Sequence, residues 1–200
     1  MRRTNRNRSN YGLVVLVVLI ISIIFGFAFD IALSVIEKQI YPKPKEYAPF
    51  VEKYSAEYGV PEDMIYAVIK TESSFDSSAV SNKGAVGLMQ MLPETFEWLT
   101  KDILRDHLGA GMLYDPETNI KYGTYYLSRL YNRFGDWDTA LAAYNGGEGN
   151  VSEWLADSRY STDGQKLIID NIPKEFNETK NYVKKVNKAL EKYKTLYTEE

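Results

Sequence analysis

The sequence predicts a mainly α-helical domain carried behind a single membrane-spanning helix, and three observations lead there. Residues 12–29 form an apolar run without a charged side chain, followed by a second apolar stretch at 31–36, and a run of this length crosses a bilayer core as a helix. Beyond it, apolar residues recur at three- and four-residue spacing while strict alternation is missing, the pattern of helices rather than strands. Helix starts and stops in this second part are marked by Pro, Asp and Gly.

The net charge of −3 over 200 residues is the sum of two unlike parts. Residues 1–40 hold Arg2, Arg3, Arg6, Arg8 and Lys38 against Asp30 and Glu37, whereas the rest of the chain holds 19 basic against 25 acidic side chains. An acidic body without a basic patch argues against nucleic acid as a partner, because phosphate binding needs clustered Lys and Arg. Having no cysteine, the chain offers no disulfide framework, zinc ribbon, thiol nucleophile or lipid-modified cysteine. Its one histidine, His107, has no second His or Cys to join it, so no metal site and no cofactor are expected.

In chain order, residues 1–10 form a basic tip, 11–36 the spanning helix, 37–46 a Pro/Lys stalk and 47–200 the folded domain. The arginines precede the apolar run and none immediately follows, so the positive-inside rule keeps the N-terminus cytoplasmic and sends the domain to the extracytoplasmic side of a single-pass anchor. The competing reading is a cleaved signal peptide ending near Ala28 or Ser34, but signal-peptide cores usually run only about 7–15 residues. Asp30 is expected at the outer interface, since a carboxylate in hydrocarbon is costly. The segment Tyr41-Pro42-Lys43-Pro44-Lys45 reads as an extended, polyproline-like connection.

Within the domain, Pro61-Glu62-Asp63 opens one helix and Asp115-Pro116-Glu117 another, with Asp115 as its cap. The second carries Ile120, Gly123, Leu127, Leu130 and Phe134 on one face and stops at Gly135. Further helices are expected at 47–58, 93–103, 137–145, 150–155 and 178–197. The last of these is striped by Tyr182, Val186, Leu190 or Ala189, Tyr193 and Tyr197. The domain is long enough to build its own core without cross-links.

On the helix from Pro61, Ile65, Val68 and Ile69 define a face, and Glu72 falls on that same face. A carboxyl group thus stands where a leucine would be expected. Burial raises the pKa of a carboxylic acid, which fits Glu72 for general acid catalysis near neutral pH. The plainer alternative is a solvated glutamate at a helix end, or one paired with Lys70 or Lys83.

The segments that follow carry a resemblance. Glu72-Ser73-Ser74-Phe75 and then Ser81-Asn82-Lys83-Gly84-Ala85-Val86-Gly87-Leu88-Met89-Gln90-Met91-Leu92-Pro93-Glu94-Thr95 resemble the signature of the family 1 lytic transglycosylases, the soluble-lytic-transglycosylase type with a lysozyme-like fold. Three later blocks are similar in order and spacing: Asp115-Pro116 with Asn119-Ile120 and Gly123; Ala142-Ala143-Tyr144-Asn145-Gly146-Gly147-Glu148-Gly149; and Ile172-Pro173 with Glu178-Thr179 and Tyr182-Val183. Leu92 stands where the family usually has methionine, and Gly147 where alanine is frequent.

The resemblance implies an all-α, lysozyme-like catalytic domain that cleaves the β-1,4 bond between N-acetylmuramic acid and N-acetylglucosamine in peptidoglycan and leaves a 1,6-anhydromuramyl end. Glu72 would serve first as acid and then as base. Ser73, Ser81, Gly84, Gly87, Gln90, Tyr144, Asn145, Glu178 and Tyr182 would shape or line the saccharide groove, with Tyr144 or Tyr182 supporting Glu72. Gly84 and Gly87 also read as turn glycines with positive φ, and Gln90 and Asn145 as ties between loops. The implied partners are peptidoglycan strands and, through the N-terminal helix, the membrane, with cell-wall synthesis or secretion proteins as further candidates. The rivals are a hydrolytic muramidase of the goose-type lysozyme kind, which shares this fold, and an inactive glycan-binding scaffold of a wall-spanning assembly.

Overall fold

The computed structural model describes residues 5–197, with side chains from Tyr11 onward; the expected basic tip at 1–10 lies outside the described side chains. The chain divides into two compact units that meet between Pro42 and Lys43.

The first unit is one helix, α1 (Asn5–Ile40). Apolar side chains stand exposed all around it, Leu16, Ile20, Phe25 and Phe29 among them, and Tyr11–Ile40 is long and apolar enough to cross a membrane. Asp30 sits inside the helix, with exposed Ile31, Leu33, Val35 and Ile36 beyond it. The helix continues through Glu37–Ile40, the first residues of the expected stalk, because nothing before Pro42 removes a backbone donor; the Tyr41 N–H still donates to the Glu37 carbonyl, at 2.8 Å.

The rest of the expected stalk is also not an extended spacer. The Tyr47 N–H turns back to the Pro44 carbonyl, at 3.1 Å. Lys43 Nζ lies 3.1 Å from Asp63 Oδ1 and over the rings of Tyr66 and Tyr197, 5.2 and 4.6 Å from their centroids. Tyr47 stacks on Phe75. These partners lie far away in sequence, so the Pro-Lys-Pro-Lys pattern carried no sign of them, and their cation–π and ring contacts hold the segment against the domain.

The second unit contains α2 (Ala48–Tyr58), α3 (Glu62–Glu72), α4 (Pro93–Trp98), α5 (Pro116–Phe134), α6 (Trp137–Gly146), α7 (Glu148–Leu155) and α8 (Asn177–Leu196). Short 3₁₀ turns occur at Ala110–Tyr114, Ile169–Asn171 and Lys174–Phe176. Among the described residues there is no strand; Val86 makes isolated antiparallel bridges to Val80 and Met91.

The caps explain the boundaries. Asp115 accepts from the Thr118 N–H at 2.8 Å and Asp136 from the Thr139 N–H at 3.0 Å, while Gly135 ends α5 at φ +69°. The helix expected over 93–103 is α-helical only to Trp98. It then widens into a π turn, Leu99–Ile103, which seats Thr100 inside, its hydroxyl donating to the Glu97 and Leu108 carbonyls, each at 3.2 Å. The stripe on α8 runs through Tyr182, Val186, Ala189 and Tyr193, all buried, so Ala189 rather than Leu190 faces inward.

α3 is the central helix. Every residue from Met64 to Ile69 is buried, which requires cover on all sides; α2 and α8 pack against it, while α5 packs on α2 and α6, and α6 on α7 and α8. The carboxyl-bearing end of α3 is thereby held at a fixed place in the body.

Candidate active site

Glu72 is the last residue of α3. Its position follows from the buried run before it: with Ile65, Val68 and Ile69 fully buried, the next position on that face can only point inward. The chain then turns sharply, with Ser74 and Phe75 in the left-handed region at φ 52° and 71°. The Ser73 hydroxyl donates to the Leu88 carbonyl at 2.9 Å, fastening the helix end to the loop opposite.

That loop, residues 81–91, is folded on itself and clamped from below. Val86 and Met91 exchange backbone hydrogen bonds at 3.0 and 3.1 Å, and the Gly87 N–H reaches the Ala79 carbonyl at 2.9 Å. Asn119, buried on α5, donates to the Val86 and Leu113 carbonyls at 2.9 and 2.8 Å and accepts from the Met89 N–H at 2.7 Å. One amide thus satisfies three buried backbone groups, each costly if left unpaired.

Between the end of α3, this loop, α6 and α8 lies a cavity of about 370 Å³. Six residues singled out in the sequence line it: Glu72, Ser81, Gln90, Tyr144, Asn145 and Glu178. Asn82, Lys83, Ala85 and Leu92 complete the lining. A second cavity of about 230 Å³ shares Gln90, Leu92, Tyr144 and Asn145 and extends toward Thr95 and Tyr126, so the two lie side by side along one groove wall.

The other expected residues stand outside this lining. Ser73 braces the loop from behind. Gly84 takes φ +80° at the tip of the Ser81 turn, with open space on its Cβ side, whereas Gly87, at φ +81°, packs against Asn119 and Leu113; only the first leaves room for a ligand to approach. Tyr182 is buried, and its hydroxyl lies close enough to the Glu72 carboxyl to favour the charged form.

Within the groove much polar capacity is already used. Gln90, held at φ 49°, donates to the Ala79 and Gly87 carbonyls at 3.0 and 2.9 Å, and Asn145 Oδ1 accepts from the Thr179 hydroxyl at 2.9 Å. The Tyr144 hydroxyl donates to the Met89 carbonyl at 2.8 Å. Of the two tyrosines considered as supports for Glu72, Tyr144 has its hydroxyl on the loop, whereas the buried Tyr182 hydroxyl has no hydrogen-bond partner among the described residues and is the one that favours the ionised carboxyl.

Burial pushes the Glu72 carboxyl up to about 7; the Tyr182 hydroxyl opposes this and the negative charge of Glu178 adds to it. Tyr144 and Tyr182 are themselves raised by burial and by the nearby Glu72 charge. Lys83, considered as a partner for Glu72, pairs with Glu178 instead, Nζ to Oε2 at 2.9 Å. His107 is exposed, and among the described residues no three His, Asp or Glu side chains gather in a way that could hold a metal ion.

Lys83, Leu92, Tyr126 and the Asn119 clamp were not singled out as site residues. Asn119 did leave a signal, a polar residue on the apolar stripe four positions before Gly123; the others are ordinary in sequence and become site residues only through the fold.

The chain is similar to known proteins over most of the second unit. The chain is 37% identical over 145 residues to a soluble lytic murein transglycosylase of Salmonella typhimurium, covering 72% of this chain and 22% of that protein. It is 32% identical over 189 residues to membrane-bound lytic murein transglycosylase C of Serratia proteamaculans, covering 83% of this chain and 51% of that one. Among solved structures, an inactive Glu-to-Gln mutant of the lytic transglycosylase Slt of Pseudomonas aeruginosa superposes with a TM-score of 0.66 at 32% identity, covering 78% of this chain and 24% of that chain. The chain thus spans between about a fifth and a half of the length of these two relatives. Residues 49–168 match the transglycosylase SLT domain model, and the chain belongs to that family.

Proposed function

We propose that the protein is a membrane-anchored peptidoglycan lytic transglycosylase with Glu72 as its single acid and base. The observation that carries this reading is the Glu72 carboxyl, raised to about 7 by burial at the wall of a groove. Such a group keeps its proton in a large share of molecules at neutral pH and can donate it to a glycosidic oxygen.

In the proposed reaction Glu72 gives its proton to the oxygen leaving muramyl C1, and the C1–O bond breaks. The resulting carboxylate takes the proton of the muramyl 6-hydroxyl, whose oxygen bonds to C1 and closes the 1,6-anhydro ring. The acid is regenerated and no water is consumed. Hydrolytic glycosidases usually employ two carboxylates across the bond; here the other carboxylate lining the cavity, Glu178, is 68% exposed and stands beside Lys83. Tyr182 supports the ionised stage of Glu72, since its hydroxyl favours the charged form. The murein named for the relatives supports peptidoglycan as the substrate. The apolar α1 and the arginines before it support a single-pass anchor with the N-terminus cytoplasmic and the catalytic body toward the wall.

Digestion of purified peptidoglycan followed by mass analysis tests the reading. Products ending in 1,6-anhydromuramic acid are expected, each one water lighter than a reducing-end product, and none with Glu72→Gln. Reducing-end products would mark a hydrolytic muramidase, and no release at all an inactive glycan-binding scaffold.

A further inference from the structure

Lys83 and Glu178 stand 95 positions apart in the chain and meet at the mouth of the cavity that holds Glu72. Among the described residues lining this cavity or the one beside it, Lys83 is the one cation. Its backbone is fixed: the Ser81 hydroxyl accepts from the Lys83 and Ala85 N–H groups at 3.3 and 3.0 Å. Its side chain is not confined, being 74% exposed, and the partner carboxylate is 68% exposed. An ion pair so open contributes little to stability and exchanges readily with another anion. Glu178 has a second source of support, since it lies in the first turn of α8 where the helix dipole favours negative charge.

The body around this ammonium carries an excess of acidic side chains, so long-range attraction does not draw an anionic polymer into the groove. Recognition of a carboxylate there has to be local. If the reacting sugar is muramyl, its lactyl ether leaves the ring two carbons from the reacting C1, and the peptide on that ether ends in a carboxylate.

We infer that Lys83 is the specificity residue of the groove, exchanging Glu178 for a carboxylate of the stem peptide on the muramyl sugar and so favouring stem-bearing over stripped glycan. This inference rests on the peptidoglycan reading above. The exchange is a charge-assisted hydrogen bond that forms on binding and needs no change in the chemistry at Glu72. It acts mainly on substrate affinity, and salt weakens it because the site is open to solvent.

The test uses the full chain in detergent with two substrates: purified glycan strands carrying their stems, and the same strands stripped by an amidase. The wild type is expected to favour stem-bearing strands in kcat/KM. Lys83→Met is expected to lower that preference about tenfold through KM, as for the loss of one charge-assisted contact, while Lys83→Arg restores it. Added salt is expected to erode the preference in the wild type and to leave that of Lys83→Met nearly flat. A preference unchanged in Lys83→Met, or a loss carried by kcat equally on both substrates, overturns the assignment. A wild type that releases fragments from neither substrate instead defeats the transglycosylase reading itself, and this inference with it.

Discussion

The amide nitrogen of Asn119 stands 2.3 Å from where a Cβ on Gly87 would lie, and the Leu113 carbonyl stands 2.6 Å from the same point. The loop that forms one wall of the groove is thus seated on α5 with no space for a methyl group. Gly87→Ala adds a left-handed residue and an overlap with backbone. It should cost about 3 kcal/mol or more, from roughly 1–2 for the conformation and 1–3 for the overlap. Asn119→Ala removes the side-chain partner of the Met89 N–H and of the Leu113 carbonyl, while the Val86 carbonyl keeps the Met91 N–H, and should cost a similar amount at about 1–3 kcal/mol for each group left unsatisfied. Urea unfolding of the two variants checks both values.

Glu72 links stability to pH. Its carboxyl titrates near 4.5 in the unfolded chain and near 7 in the fold, so the unfolded state gives up its proton first. Stability is untouched below the unfolded value, falls as pH rises between the two, and stays lowered above 7. Glu72→Gln, which cannot ionise, should therefore gain on the wild type across that interval, by up to about 3 kcal/mol at pH 8. Thermal unfolding of both proteins from pH 4 to 8 measures the gain; a constant difference would mean that the carboxyl is not desolvated.

The same group sets the upper limb of activity under the proposed mechanism. kcat/KM should fall as pH rises through about 7, where the acid loses its proton. Because the Tyr182 hydroxyl favours the ionised form, Tyr182→Phe should move that limb to higher pH. It should also lower kcat, since the second half of the reaction uses the carboxylate. A pH profile of both enzymes on peptidoglycan reads both effects.

Retention of α1 is decided at the N-terminus. Sequencing of protein extracted from membranes should find a chain that still contains the apolar run, whereas a start after Ala28 or Ser34 would identify a processed leader. A chelator should leave the activity intact, because the proposed chemistry is carried by a carboxyl group and uses no metal; loss of turnover on chelation would require another mechanism.

Much of the helical layout was legible because its determinants are local. Asp115 caps the residues directly after it, Gly135 ends the helix directly before it, and the burial of Ile65, Val68 and Ile69 aims Glu72 inward by simple periodicity. The π turn after Trp98 was not legible, since it serves contacts of Thr100 with Leu108. Nor was the docking of Lys43, which depends on Asp63, Tyr66 and Tyr197 converging on one ammonium. In the groove the residue types were readable but their use was not. Which of Tyr144 and Tyr182 faces Glu72, and whether Lys83 pairs with Glu72 or Glu178, depends on side-chain directions set by helices far apart in the chain.

α8 supplies both Tyr182 and Glu178, and it follows α3 by about a hundred positions. A ribosome releases the chain from its first residue to its last, so Glu72 emerges long before the helix that covers it. Burial is what raises the Glu72 carboxyl, so before α8 has docked the group stands nearer to an ordinary solvated glutamate. Under the proposed mechanism, a chain in which α8 has not docked should therefore lack a fully raised acid at Glu72.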